Sequence, residues 1–124
     1  MSKTNFENLE VYQLAEQLAD IVWSVAVRWD GLAENTVARQ IVRAADSVGA
    51  NLAEGTGRAS FKDNLRFISF ARGSLYEVKH FLRRAHRRDL LSREQVDEIK
   101  PLLDELLPRL NAYRRSILQM SKNN

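Results

Sequence analysis

Hydrophobic residues recur at the helical period in four long stretches of this chain. Within each stretch they follow one another at intervals of three and four residues, which places them on one stripe of an α-helix. No stretch sustains the period-two alternation that is typical of a half-buried strand. The pattern therefore predicts four helices, at about residues 9–29, 36–53, 61–88 and 93–119.

Polar residues at the starts of these stretches have the spacing of helix caps. Ser60 with Asp63, and Ser92 with Gln95, resemble capping boxes, in which the first side chain accepts from the backbone N–H three residues on. Side chains of Asn and Thr also cap helices. The candidates for the first two helices are Asn5 or Asn8, and Asn35 or Thr36.

Proline and glycine interrupt two of the predicted helices. Pro101 and Pro108 lie inside the fourth stretch, where each removes a backbone donor and clashes with the preceding turn, so we expect a kink or a split. Gly49 lies inside the second stretch, at a cost of about 1 kcal/mol relative to alanine. It predicts either a close contact between helices or a bend.

The loops between the predicted helices contain only a few residues, which favours antiparallel neighbours. The simplest fold class is all-α, with an antiparallel, up-down-up-down four-helix bundle as the protomer. The 124 residues predict a single domain over 1–124, with fraying at 1–5 and 120–124. The chain has no cysteine, a polar start and no apolar run of membrane-spanning length. We therefore expect a cytoplasmic protein without a membrane partner.

Charge is concentrated in one part of the chain. The whole chain has a net charge of +3, whereas residues 58–91 contain nine Lys or Arg and three Asp or Glu, a balance of +6. Helical spacing places the cations at the end of the third stretch on two adjacent stripes. Such a face suits phosphate groups, and a solvated helix face fits the spacing equally well. The candidate nucleic-acid-binding residues are Lys79, Arg83, Arg84, Arg87 and Arg88.

A second polar stripe follows the second helix and the turn after it. Its members are spaced by four, four, three and four residues, and both charge signs occur. A subunit contact or a capping network is the favoured interpretation, and a ligand site is the alternative. Glu77 and Arg72 are candidates to join it from the third helix. The stripe consists of Arg43, Ser47, Asn51, Glu54 and Arg58.

Catalytic patterns are absent from the sequence. His80 and His86 lie six residues apart and face different directions on a helix. The chain contains no Glu-x-x-His pair and no glycine-rich phosphate loop, and cysteine nucleophiles are lacking. We expect a protein that is not an enzyme and that uses no metal or cofactor.

Some aromatic and aliphatic residues of the first helix fall outside its main apolar stripe. Trp23, Tyr12 and Ile21 are the clearest cases. Apolar residues on a second helix face are typical of a subunit interface. The alternative is that the buried face of this helix is broad and includes them.

Three segments of the chain resemble a known family. QIVRAADSVGANLAEGTGR at 40–58, FISFARGSLYE at 67–77 and FENLEVYQLA at 6–15 are similar to signatures of the bacterial four helix bundle protein family. Members of that family are encoded in intervening sequences of 23S ribosomal RNA genes. The chain departs from the pattern at residues 48–50, where the family more often has isoleucine and proline.

The resemblance implies a four-helix protomer that assembles into a homopentameric barrel, whose biochemical role is largely undefined. A related branch is the accessory variability determinant of diversity-generating retroelements. Its members are basic pentamers that bind nucleic acid and an error-prone reverse transcriptase. Three hypotheses follow for this chain. It is an accessory protein that binds RNA or DNA and assists a reverse transcriptase, or a scaffold that binds an acidic partner protein. The third is a selfish or structural protein whose one property is self-assembly.

Overall fold

The computed structural model describes residues 6–123, and all regular structure in that part of the chain is helical. A short 3-10 turn, Phe6–Asn8, precedes the first long helix. The predicted fraying at 1–5, the candidate cap Asn5 and the last residue lie outside the described residues. The helices are α1 (Glu10–Ala26), α2 (Gly31–Ala33), α3 (Arg39–Thr56), α4 (Phe61–Arg87) and α5 (Arg93–Lys122).

The four long helices surround one hydrophobic core. Helix α1 packs against α3 and α5, and α4 packs against the same two helices. The predicted apolar stripes all face inward, and each aliphatic side chain that becomes fully buried contributes about 1.5–3 kcal/mol. The largest fully buried side chains are Leu18, Ile41, Leu52, Ile68, Leu75, Leu106, Leu110, Val22, Val48 and Val78.

The second helical region begins earlier than its sequence pattern predicts. Gly31 starts it in the left-handed conformation, with φ of 57°, and a π-helical segment, Glu34–Ala38, leads into α3. Asn35 and Thr36 do not cap this helix, because their side chains donate backward to the carbonyl oxygens of Gly31 and Leu32. The cap prediction for these two residues is wrong, since bonding to the preceding turn competes with capping.

The first helix also differs from its prediction at both ends. It ends at Ala26, before the expected residue 29, and the helix is preceded by Leu9 without a side-chain cap, so Asn8 does not cap it. Trp29 lies beyond the helix and donates its indole N–H to the carbonyl oxygen of Leu90, 2.9 Å away. This bond joins the loop after α1 to the loop before α5.

The starts of α4 and α5 follow the sequence prediction closely. The Ser60 hydroxyl accepts from the Asp63 backbone N–H at 3.1 Å. At α5 the capping box is complete, because Ser92 Oγ accepts from the Gln95 N–H and Gln95 Oε1 accepts from the Ser92 N–H. Such caps satisfy backbone donors that have no partner within the helix.

Helix α5 continues through both of its prolines, so the split that the sequence predicted does not occur. Pro101 and Pro108 lie seven residues apart, and both are exposed on the outward face of the helix. The carbonyl groups that lose a partner belong to Asp97 and Asp104, which are also exposed. Water can therefore replace the missing bonds, and a helix bends most easily with its convex side toward solvent. A kink at these prolines stays a prediction.

Two glycines of α3 face neighbouring helices. A Cβ at Gly49 would lie 3.4 Å from Tyr12 of α1, which is ordinary van der Waals contact, so the choice between a close helix contact and a bend stays a prediction. Gly55 is more restrictive: a Cβ there would overlap Asn64 Oδ1 and lie 3.1 Å from Phe67 Cβ. The end of α3 therefore packs on the start of α4 with no room for a side chain.

Candidate functional site

Five cations collect at the C-terminal end of α4, and this set is called the basic end here. Lys79, Arg83, Arg84 and Arg87 lie in the last turns of the helix, and Arg88 is its C-cap residue. All are exposed except Arg84, which is half-buried. Positive charge is favourable at this end of a helix, because the backbone carbonyl groups point there.

No side chain of the basic end forms a salt bridge or a hydrogen bond within residues 6–123. The one recorded contact is weak, with Lys79 Nζ at 5.9 Å from the centre of the Tyr76 ring. The structure thus places all five predicted residues together on one surface, with their charged groups free to meet an anion.

The predicted polar stripe of α3 is held by local hydrogen bonds along the helix. Ser47 Oγ donates to the carbonyl oxygen of Arg43, and Asn51 Nδ2 donates to that of Ser47, both at 2.8 Å. Bonds of this kind use up polar groups that a ligand would otherwise contact.

Ion pairs complete the stripe at both ends. Arg43 Nη2 lies 3.2 Å from Glu77 Oε2 of α4, and Arg58 lies 2.8 Å from Glu54 and 3.6 Å from Asp63. Glu77 therefore joins the stripe as predicted. The ion pairs bridge α3 and α4 and their connecting turn, which fits a capping network within one protomer. They are exposed, so each contributes at most about 1 kcal/mol.

Arg72 lies on a different face of α4 from the stripe, so the expectation that it joins the stripe is wrong. Its Nε–H donates to Asn111 Oδ1 of α5 at 3.0 Å, and its Nη2 donates to the Tyr76 hydroxyl at 3.3 Å. The side chain borders a groove between α4 and α5, which is called the arginine groove here. The groove has a volume of about 580 Å³ and is lined by Ser69, Arg72, Gly73, Tyr76, Asn111, Arg114 and Arg115.

The sequence pattern does not predict this groove. Arg114 and Arg115 follow Asn111 by three and four residues, which is a weak signal by itself, because arginine is common on exposed helix faces. What defines the site is the pairing of α4 with α5, which brings Arg72 within hydrogen-bonding distance of a residue 39 positions away.

An apolar patch lies at the end of α1 and the start of the next helical region. Trp23, Val27 and Leu32 are strongly exposed, with Trp23 at 58% of its full accessibility. Tyr12 and Ile21, which were expected to share this second face, pack partly against the core. Burial, followed by the nearby Glu16 carboxylate, raises the pKa of the Tyr12 hydroxyl.

Other site types find no support in the described part of the chain. No group of three or more His, Cys, Asp or Glu side chains within residues 6–123 is arranged to hold a metal ion. Over the same residues, no helix combines the length and hydropathy that crossing a bilayer requires.

The fold and these sites define a class: over residues 6–123, an all-helical protein with four long helices and a set of cations without ion pairs at the end of α4. A family model for the 23S rRNA-intervening sequence protein matches residues 7–112, and the chain belongs to this family. The resemblance found in the sequence is thereby confirmed at the level of the family. No curated protein matches the chain.

A solved structure has the same fold. It is a protein with unknown function from the S23 ribosomal protein family of Bacteroides thetaiotaomicron VPI-5482. The two superpose with a TM-score of 0.73 and 21% sequence identity, over 84% of this chain and 97% of that chain. At this identity the likeness concerns the fold alone. Neither comparison indicates a catalytic family.

Proposed function

We propose that this protein is a non-enzymatic, homo-oligomeric accessory protein that binds RNA or DNA through the basic end of α4. The observation that carries the proposal is that none of the five cations there forms an ion pair within residues 6–123. Other cations of the described residues, such as Arg39 and Arg93, also lack ion pairs. What distinguishes the basic end is that five such cations lie within ten residues at one helix end.

The dimensions of the basic end suit a phosphate backbone. Residues 79–88 span about 14 Å of helix, at 1.5 Å per residue. One strand of duplex DNA carries about four phosphates over that axial length. Contacts of this type fix position and do not read bases, so we expect binding without sequence specificity.

Assembly would strengthen such binding. We propose the homopentameric barrel that the family resemblance implies, with antiparallel helices in each protomer, which the short connections support. Several copies of the basic end on one particle raise the effective concentration for a long anionic strand. The apolar patch of Trp23, Val27 and Leu32 is a surface that a subunit contact would cover. In this proposal the assembled protein acts in the cytoplasm, where it assists the reverse transcriptase of a diversity-generating retroelement.

The test is a titration of a labelled RNA and a labelled DNA over a series of salt concentrations. We expect the logarithm of the association constant to fall linearly with the logarithm of salt concentration. The double variant Arg83→Glu/Arg87→Glu is expected to bind about 10- to 100-fold more weakly and to lower the slope by about 2, one for each lost phosphate contact. Light scattering on the same samples gives the number of protomers of 14.3 kDa in the particle.

The matched control reverses two exposed cations that lie away from the basic end and form no ion pair within residues 6–123. Lys62 at the start of α4 and Lys122 at the end of α5 meet this description, so Lys62→Glu/Lys122→Glu makes the same change of charge. It is expected to retain most of the affinity. Binding that ignores salt, or that survives reversal of Arg83 and Arg87, contradicts the proposal.

A scaffold for an acidic partner protein is the second candidate. The apolar patch of Trp23, Val27 and Leu32 favours it, because exposed apolar surface is typical of a contact with another protein. A partner that stays bound after nuclease treatment, and is lost on Trp23→Ser, supports this candidate over the first.

A further inference from the structure

Arg72 differs in its hydrogen-bond partners from the other arginines of residues 6–123 whose side chains form hydrogen bonds or ion pairs. Arg43, Arg58, Arg66 and Arg109 are each bonded to at least one carboxylate. Arg72 is half-buried, yet its two partners, Asn111 Oδ1 and the Tyr76 hydroxyl, are both neutral. The rest of the Arg72 side chain faces the groove, so an external anion can reach a guanidinium that no carboxylate of the described residues pairs with.

The surroundings of Arg72 add positive charge and no negative charge. Arg114 and Arg115 border the same groove, and no Asp or Glu lines it. The carboxylates one or two turns away are engaged elsewhere: Glu105 with Arg109, Asp104 with Lys100, and Glu77 with Arg43. Three arginines that form no ion pair within residues 6–123 therefore border the groove, and the Tyr76 ring, with its centre 5.1 Å from Arg72 Cζ, is a neutral neighbour of the first.

The hydrogen bonds of Arg72 leave donors available in a fixed orientation. A guanidinium has five N–H donors, of which Asn111 takes Nε–H and Tyr76 takes one on Nη2. Three donors remain, and the two bonds restrict the plane that contains them. A guanidinium group whose orientation is already fixed loses little conformational entropy when it binds a planar or tetrahedral oxyanion.

We propose that the arginine groove is a binding site for a phosphoryl group. Three guanidiniums match the two negative charges and three terminal oxygens of a phosphate monoester better than the single charge of a carboxylate. Arg72 is the central ligand, Arg114 and Arg115 close over the anion, and Ser69 offers a hydroxyl.

This site is separate from the basic end, because none of its residues belongs to that set. The phosphoryl group can come from two sources, a free phosphate or nucleotide, or the phosphorylated end of a nucleic-acid strand. Its chemistry is the same in both, and the source is decided by experiment.

The experiment follows the Nε–H resonance of Arg72 by NMR during titration of the full chain. The probes are inorganic phosphate, adenosine 5′-monophosphate, and one oligonucleotide with either a 5′-phosphate or a 5′-hydroxyl, at constant ionic strength. A saturable shift with phosphate or the nucleotide supports a free ligand, and a shift with the 5′-phosphorylated strand alone supports a strand end. No shift with any probe, or an equal shift with chloride or with the 5′-hydroxyl strand, overturns the proposal.

Variants separate this site from the proposed nucleic-acid surface. Arg72→Gln is expected to weaken phosphate binding at least tenfold, and Arg115→Gln, which changes an exposed residue and leaves the packing intact, several-fold. For these variants the affinity is read from the chemical shift of the Asn111 side-chain amide. Arg83→Glu/Arg87→Glu is expected to leave phosphate binding unchanged while it weakens binding of long strands. Phosphate affinity that survives both groove variants overturns the site, whatever the outcome at the basic end.

Discussion

Replacing Pro108 with alanine is expected to raise the free energy of unfolding by about 1–3 kcal/mol. Proline in a helix interior is about 3 kcal/mol less favourable than alanine, because it lacks the N–H and crowds the carbonyl four residues earlier. Here that carbonyl belongs to Asp104, and the substitution supplies it with a hydrogen-bond donor. Pro108 is exposed, so the change removes little packing that would offset the gain.

Urea denaturation followed by circular dichroism measures this gain. Pro108→Gly is the matched control, because glycine restores the same N–H but is about 1 kcal/mol less favourable than alanine in a helix. The glycine variant should therefore gain about 1 kcal/mol less than the alanine variant. An alanine variant with unchanged or lower stability would mean that α5 requires the proline at this position, for instance to keep its curvature against the core.

Replacing Gly55 with alanine is expected to lower the free energy of unfolding by about 1–3 kcal/mol. Helix propensity alone predicts a gain of about 1 kcal/mol. The gain is outweighed because the new Cβ would overlap the oxygen of Asn64, a side chain only 6% exposed, and would crowd Phe67. Both neighbours belong to α4, so relief requires α3 and α4 to move apart.

Gly73→Ala is the matched control for this prediction. Gly73 lies within α4, and a Cβ at this position meets no atom within 4 Å. Only the difference in helix propensity applies at this position, so the free energy of unfolding is expected to rise by about 0.5–1 kcal/mol. Equal effects of the two substitutions would contradict the packing explanation. The double variant Gly55→Ala/Asn64→Ala should be less destabilised than the two single changes add up to, because the overlap disappears.

Helical periodicity was enough to predict the four long helices, because each one buries a single continuous stripe. Boundaries were predicted where the deciding bonds are local, as in the Ser92 and Gln95 capping box. They were mistaken where a polar side chain has two local choices. Thr36 can cap a helix that follows it or bond the turn before it, and in the structure its hydroxyl donates to the carbonyl oxygen of Leu32 in the preceding turn.

The candidate sites also divide into one that local spacing predicts and one that depends on the packing of two helices. The basic end was predictable, because all its members share one helix and their spacing alone places them together. Contacts along α3, such as Ser47 with Arg43, follow from the same helical spacing. The bond between Arg72 and Asn111 joins two helices, and its formation depends on how far α5 is shifted along α4. A single sequence does not contain that shift, so the arginine groove emerged only from the structure.

The packing order of the helices has a consequence for the kinetics of folding. α3 packs on α4 and α4 on α5, each following the other after a short loop, while the contact of α1 with α5 joins the two ends of the described chain. Most native contacts can therefore form before any long loop closes, which is typical of helical proteins that fold within microseconds to milliseconds. Docking of α1 onto α5 carries the largest loop-closure entropy, and we expect it to come late.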